Sequence, residues 1–169
     1  MAGNAVVGIV MGSDSDLEVM KRCIDQLKAF GIGFEVRVIS AHRTPVAAHL
    51  YAKSAAERGL KVIIAAAGMS AALGGVLAAN TTLPVIGVPM ASGPLAGVDA
   101  ALSTMQMPPG VPVACMSIGA PGATNAAILA AQILALGDAE LAGKLAAFKE
   151  DQAKKVAAKD REIHEAHDG

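Results

Sequence analysis

Aromatic side chains, cysteine and, over much of its length, charge are scarce in this chain of 169 residues. Trp is absent, and Phe30, Phe34, Tyr51 and Phe148 are the only Phe and Tyr residues. Ala fills 36 positions instead, so helices and strands must pack by close approach rather than around large rings. Cys23 and Cys115 are too few for a disulfide framework or a cysteine metal site, and both read as small core residues. A basic excess is also missing. The 14 Lys and Arg face 15 Asp and Glu, for a net charge of −1, which excludes a nucleic acid or an anionic membrane as the expected partner. Met1-Ala2-Gly3-Asn4 shows no cationic region leading into an apolar stretch. No signal peptide is therefore expected, and the expected compartment is the cytoplasm.

Charge is missing locally as well. Between residues 62 and 137 the only charged side chain is Asp99, whereas residues 140–169 hold 13 of the chain's 29. A stretch so poor in charge is either embedded in a membrane or covered by core and by other copies of the chain. The uncharged run 62–79 approaches the roughly 20 residues of a spanning helix. It is mostly Ala and Gly, however, it breaks at Gly68-Met69-Ser70, and no Trp or Tyr belt flanks it. The expectation is core plus a contact between copies, because an exposed apolar patch that large would be anomalous on a monomer.

The length fits one domain, 1–169, able to bury roughly 68–70% of the surface its unfolded chain exposes. Residues 6–11 form an apolar run suited to a strand covered on both faces. Ser15 and Glu18 have capping-box spacing, so a helix is expected from about Ser15, with Gly31 at its end. Residues 34–39 alternate apolar and charged and read as an edge strand. Thr44-Pro45 reads as a helix start with Thr as cap, and Gly59 as the stop. Strand 62–66 leads into helix 71–79. Strand 85–88, closed by Pro89, leads into helix 97–105. Strand 113–117 leads into helix 125–136. Five strand–loop–helix units predict a three-layer α/β/α fold with a parallel sheet of five or slightly more strands, flavodoxin- or Rossmann-like. Core 5–137 is then followed by a charged helix, 139–164, with Leu141, Leu145, Phe148 and Gln152 along one face.

Ligands of an open parallel sheet bind beyond the carboxyl ends of its strands. Three polar loops fall there: Gly12-Ser13-Asp14-Ser15-Asp16, Ser40-Ala41-His42-Arg43-Thr44-Pro45 and Gly68-Met69-Ser70. Each precedes a helix, an arrangement that suits a phosphate. Hydroxyls of Ser13, Ser15, Ser40 and Ser70 can donate to the ligand, and Asp16 can accept from ribose hydroxyls. Arg43 offers a planar fork, and His42 is of the residue type that exchanges a proton near neutral pH. The alternative is that the first loop merely caps a helix. Neither the Walker lysine pattern nor GxGxxG is present, which disfavours a nucleoside triphosphate or a dinucleotide. His49 reads as a helix-surface residue, and His164 and His167 belong to the charged tail. No pair of histidines has a metal spacing, so no metal is expected.

With these loops in place, the chain resembles the family of 5-(carboxyamino)imidazole ribonucleotide mutase, the catalytic subunit of phosphoribosylaminoimidazole carboxylase. The resemblance rests on Val10-Met11-Gly12-Ser13-Asp14-Ser15-Asp16, Ser40-Ala41-His42-Arg43-Thr44-Pro45, Leu83-Pro84-Val85-Ile86-Gly87-Val88-Pro89, Gln106-Met107-Pro108-Pro109-Gly110-Val111-Pro112-Val113 and the segment from Asn125 through Leu134. It implies a purine-biosynthesis enzyme without cofactor or metal, acting on a ribonucleotide. It also implies a homo-octamer whose C-terminal helix packs on a neighbouring subunit. Ser13 and Asp16 fall on substrate-binding positions, Arg43 on the phosphate-binding arginine and His42 on the proton-transferring histidine. The family reaction moves a carboxylate from the exocyclic nitrogen to carbon 4 of the aminoimidazole. One departure matters: the family's second histidine falls on Ala72. Gly68, Ser70, Leu73, Gly74 and Asn80 resemble instead the related direct carboxylases, which use free carbon dioxide. Mutase is the preferred reading and direct carboxylase the alternative. A mononucleotide-binding module without chemistry and a purely structural assembly protein are further readings.

Overall fold

A computed structural model describes residues 5–167. The apolar run Val7–Met11 forms strand β1, buried at every position. It lies inside a five-stranded, all-parallel sheet with β2 (Phe34–Val38), β3 (Val62–Gly68), β4 (Val85–Met90) and β5 (Ala114–Cys115), in the order β2-β1-β3-β4-β5. Val7 stands opposite Phe34 on one side and Val62 on the other. The half-exposed, alternating β2 is an edge, as its pattern predicts. Helices α1 (Leu17–Phe30), α2 (Pro45–Ala55), α3 (Leu73–Ala78) and α4 (Val98–Met105) make the four crossovers, α5 (Ala120–Ala135) follows β5, and α6 (Ala139–His167) comes last.

Successive strand residues face opposite sides of a sheet. Val10, Ile63 and Ala65 join one core cluster with Ala52 and Ala55 of α2 and Leu73 and Leu77 of α3. The intervening Ile9, Ile64 and Ala66 face the other side and are equally buried. Both faces are therefore covered, and the predicted three-layer architecture is found. The scarcity of large side chains shows in how tightly the layers approach. A Cβ on Gly8 of β1 would overlap the Tyr51 hydroxyl of α2, and one on Gly87 of β4 would overlap the Thr104 side chain of α4.

Several local expectations are corrected. The cap at the end of β1 is Ser13, not Ser15. Ser13 closes a 3-10 turn, Asp14–Asp16, that runs into α1, and the reciprocal partner is Asp16 rather than Glu18. Gly31 does end α1, in the left-handed region at φ 76°. Thr44 makes no side-chain cap for α2; its hydroxyl turns back to the Ser40 carbonyl (2.9 Å). Strand β4 runs through Pro89 to Met90. Gly87 and Pro89 both accept on the β5 side, from Met116 and Gly119 (both 2.8 Å). The missing Pro89 N–H thus points past the end of the two-residue β5, where it breaks no ladder. Strand β5 is shorter than predicted, and Gly119, at φ 73°, turns the chain into α5. Gly122 then stacks on the Ser117 carbonyl, where no Cβ would fit. Helix α5 starts five residues earlier than predicted, with Pro121 tolerated in its first turn.

The chain divides into two compact units, one ending at Ile133 and the other starting at Leu134. In the second, α6 spans 29 residues, about 43 Å at 1.5 Å per residue. Leu141 and Leu145 are buried and Phe148 is half-buried, but Gln152 and every residue from 149 to 167 are exposed. Pairs such as Lys144–Glu140 (2.8 Å) line its surface and contribute little at such exposure. Among the described residues, no helix is long and apolar enough to cross a membrane.

Among the described residues the Tyr51 hydroxyl is buried and makes no hydrogen bond. Burial, and secondarily the Glu35 carboxylate, push its pKa up, while Glu35 itself pairs with Arg58 (2.9 Å). Gly8→Ala is expected to cost about 1–3 kcal/mol by overpacking, measured by denaturant unfolding. In a Tyr51→Phe background the cost should fall, because the overlapping oxygen is gone. An equal loss in both backgrounds would contradict the packing argument.

Candidate active site

The register that levels β1, β2 and β3 brings their following loops to one edge. Gly12 extends the β1–β3 pairing, its N–H donating to the Ala66 carbonyl (2.9 Å). The Ser13 hydroxyl accepts from the Ser15 N–H (3.3 Å) and from the Ser15 hydroxyl (2.9 Å). The Ser13 N–H donates to Asp16 (3.3 Å). Asp16 is only 7% exposed. Burial raises its pKa, the Ser13 N–H works against that rise, and Asp14 adds to it. The loop after β2 closes on itself: the Thr44 N–H and hydroxyl both donate to the Ser40 carbonyl (2.8 and 2.9 Å).

Arg43 ties these two loops together. Its backbone N–H and its Nε donate to the Ser40 hydroxyl (3.2 and 3.3 Å), and its Nη2 donates to the Gly12 carbonyl (3.0 Å). The guanidinium is thereby aimed across the end of β1 while its outer face stays in solvent. After β3, Met69 adopts a left-handed backbone, φ 54°, which a side chain enters only at a cost. The turn is held by the Ala71 N–H on the Met69 carbonyl (2.9 Å) and the Ala72 N–H on the Ser70 carbonyl (2.7 Å).

These loops line one cleft of about 660 Å³. Ser13, Ser15, Asp16, Ser40, His42, Arg43 and Ser70 all border it, so the three loops singled out in the sequence meet in one place. The remaining wall is formed by Ala67, Gly68, Met69, Ala72, Leu73 and Ser92. The cleft is thus divided. One half carries a cation, a carboxylate and hydroxyls, and suits a phosphate on a polyhydroxylated group. The other half carries no charge, and its polar side chains are Ser70 and Ser92. Ser92 is not among the candidates of the sequence, whose pattern ends the strand at Pro89.

The other candidates lie outside the cleft. His49 faces Asn80, with Nδ1 2.6 Å from Oδ1. His164 and His167 are on α6. Cys23 is buried, which pushes its thiol up to about 12, and Cys115 sits on β5. Among the described residues no three His, Cys, Asp or Glu side chains cluster as metal ligands would.

In the strand order found here, the direction of winding reverses between β1 and β3, and the cleft opens at that point. Fold and cleft together define a doubly wound α/β protein of the kind that holds a phosphorylated small molecule at its switch point. The AIR carboxylase family model matches residues 6–155, and the chain belongs to that family. It is 54% identical over 157 residues to N5-carboxyaminoimidazole ribonucleotide mutase of Mycobacterium tuberculosis, covering 93% of this chain and 89% of that one. The mutase of Bacillus subtilis is 57% identical over 140 residues, covering 83% and 86% of the two chains. The crystal structure of Treponema denticola PurE superposes with a TM-score of 0.84 at 34% identity, covering 93% of this chain and 97% of that one.

Arg43 generates a direct expectation. Lys keeps the charge but loses the planar fork, so Arg43→Lys should weaken binding of a phosphorylated ribonucleotide and Arg43→Ala should weaken it more. Affinity is measured for the ribonucleotide and for its dephosphorylated riboside. An equal loss for both would show that Arg43 does not address the phosphate.

Proposed function

We propose that the protein converts 5-(carboxyamino)imidazole ribonucleotide into 4-carboxy-5-aminoimidazole ribonucleotide, an isomerisation in purine biosynthesis. The observation that carries this reading is the division of the cleft into an anion-holding half and an uncharged half. The name shared by its relatives supports it.

Arg43, with Ser13, Ser15 and Ser40, holds the phosphate, and Asp16 accepts from the ribose. The base lies toward Gly68 and Ser70. The carbamate nitrogen takes a proton from His42 as the N–C bond breaks and carbon dioxide leaves. Carbon 4 of the resulting aminoimidazole attacks the trapped carbon dioxide. The tetrahedral carbon then loses its proton to His42, which restores the aromatic ring and the starting protonation state. No organic cofactor or metal is invoked. An uncharged pocket favours holding neutral carbon dioxide, and its escape would end the cycle.

A second reading is favoured by one residue. Ala72 lines the cleft where the family pattern has a histidine, which leaves that wall more apolar and fits a direct carboxylase fed by carbon dioxide. Two donors separate the readings: the carboxyamino ribonucleotide alone, or aminoimidazole ribonucleotide with bicarbonate, with product followed by absorbance. The mutase reading expects fast turnover of the first without added bicarbonate. Turnover of the second pair alone would make the protein a direct carboxylase.

His42→Asn should retain the fold and ribonucleotide binding while losing roughly 10²–10⁴-fold in turnover. Near-normal turnover would assign the proton shuttle to another group.

The proposed working form is a cytoplasmic homo-octamer in which each chain acts as one domain and α6 packs on a neighbour. Leu95, Val98, Leu102 and Met105 leave an apolar stripe along α4 and the turn before it, each at least half exposed, and Val156 and Ile163 stand exposed on α6. Light scattering should give eight times the 16.9 kDa chain mass. A monomer mass at micromolar concentration would contradict the assembly.

A further inference from the structure

Ser92 follows β4 by two residues, and its placement is fixed by two interlocked pairs. Its N–H donates to the Met90 carbonyl (2.9 Å), folding the chain back at the strand end. Its hydroxyl lies against Gly68 of β3, where a Cβ would overlap it. On the next residue the relation is reversed. Gly93, at φ 75°, packs beneath the side chain of Met69, and a Cβ built there would stand 3.3 Å from the Met69 Cγ. Each loop thus supplies a glycine on which the other rests a side chain. This interlock gives the left-handed Met69 a local purpose.

The hydroxyls of the cleft differ in what they already do. Those of Ser13, Ser15 and Ser40 are engaged with one another, with Asp14 or with Arg43. Among the described residues neither the Ser70 nor the Ser92 hydroxyl makes a hydrogen bond within the protein, and of the two Ser70 is exposed whereas Ser92 is half-buried. A half-buried donor held in place without a partner in the uncharged half of the cleft points to a ligand group that accepts there. That half lacks a cation, so a hydroxyl there is the kind of donor left to a carboxyl oxygen that lies against it.

Resting on the function proposed above, we infer that Ser92 positions the carboxyl group in transit: its hydroxyl donates to an oxygen of the carbamate carboxyl, of the freed carbon dioxide and then of the new carboxylate on carbon 4. No bond to Ser92 forms or breaks. Its contribution is retention of carbon dioxide between departure and attack. Gly68 is the complementary requirement, because any side chain there would push the hydroxyl aside.

The test is a partition measurement. Wild type, Ser92→Ala, Ser92→Thr and Gly68→Ala are each given the carboxyamino ribonucleotide, and separately aminoimidazole ribonucleotide with bicarbonate. Product and released aminoimidazole ribonucleotide are both quantified. With the first donor, Ser92→Ala should lose roughly tenfold in kcat, the scale of one hydrogen bond. Its KM should stay within about twofold, since phosphate binding is untouched. The fraction released as aminoimidazole ribonucleotide should rise several-fold. Ser92→Thr, which keeps the hydroxyl, should restore coupling. Gly68→Ala should uncouple like Ser92→Ala while still carrying the serine. Wild type inactive with both donors would overturn the function itself. Wild type active only with bicarbonate would move the readout to the bicarbonate KM, which Ser92→Ala should raise. An active wild type together with a Ser92→Ala variant of unchanged partition, unchanged bicarbonate KM and near-normal kcat would overturn the role of Ser92 alone. A lowered melting temperature without a change in partition would do the same, since it marks a structural role.

Discussion

Val7 of β1 stands opposite Phe34 of β2 on one side and Val62 of β3 on the other, so the three parallel strands run level toward one edge. Everything at the cleft depends on that register. Because the strands end together, the loops beginning at Gly12, Ser40 and Gly68 open into the same space, and the Arg43 side chain reaches a carbonyl 31 residues away in sequence. A slip of one residue in β2 would turn every one of its side chains to the other face and would carry Arg43 away from Gly12. The register is in turn held by cores on both faces, where Ala and Gly let the layers approach. Gly8 beneath Tyr51 is the tightest example in β1.

The electrostatics of the cleft follow from this placement. Charge is concentrated on the loops after β1 and β2, which come from the charged part of the sequence, while the loops after β3 and β4 fall in the 76-residue stretch whose only charge is Asp99. A phosphate needs a cation and N–H donors, and in the proposed function it takes them from that side. Carbon dioxide, the form in transit in the proposed reaction, is neutral and needs no counter-charge. Asp16 shows what burial costs a charge: its burial raises its pKa against the opposing Ser13 N–H.

The architecture was legible because strands buried on both faces read as unbroken apolar runs and each crossover helix carries a start or stop residue. The three site loops were legible for a related reason: polar and charged residues interrupt those runs only there. Other features depend on tertiary geometry that no local pattern encodes. Ser13 and Ser15 both have an acidic residue three positions on, and the cap falls on Ser13 because a 3-10 turn, Asp14–Asp16, begins directly after it and leads into α1. Pro89 looked like a strand end, yet its missing N–H faces the open side beyond β5. That is why the strand continues and why Ser92 joins the cleft. The bridge from Arg43 to Gly12 needed the strand order, which periodicity does not give.

The proposed chemistry depends on which end of the ligand each half of the cleft receives, and a crystal structure with 4-carboxy-5-aminoimidazole ribonucleotide bound reads that orientation directly. The predicted result has the phosphate against Arg43 and Ser13, and the carboxylate-bearing ring against Gly68, Ser70 and Ser92. A ligand bound the other way round, with its phosphate over residues 68–70 and its ring beside Arg43, would contradict the division of the cleft on which the proposed chemistry rests.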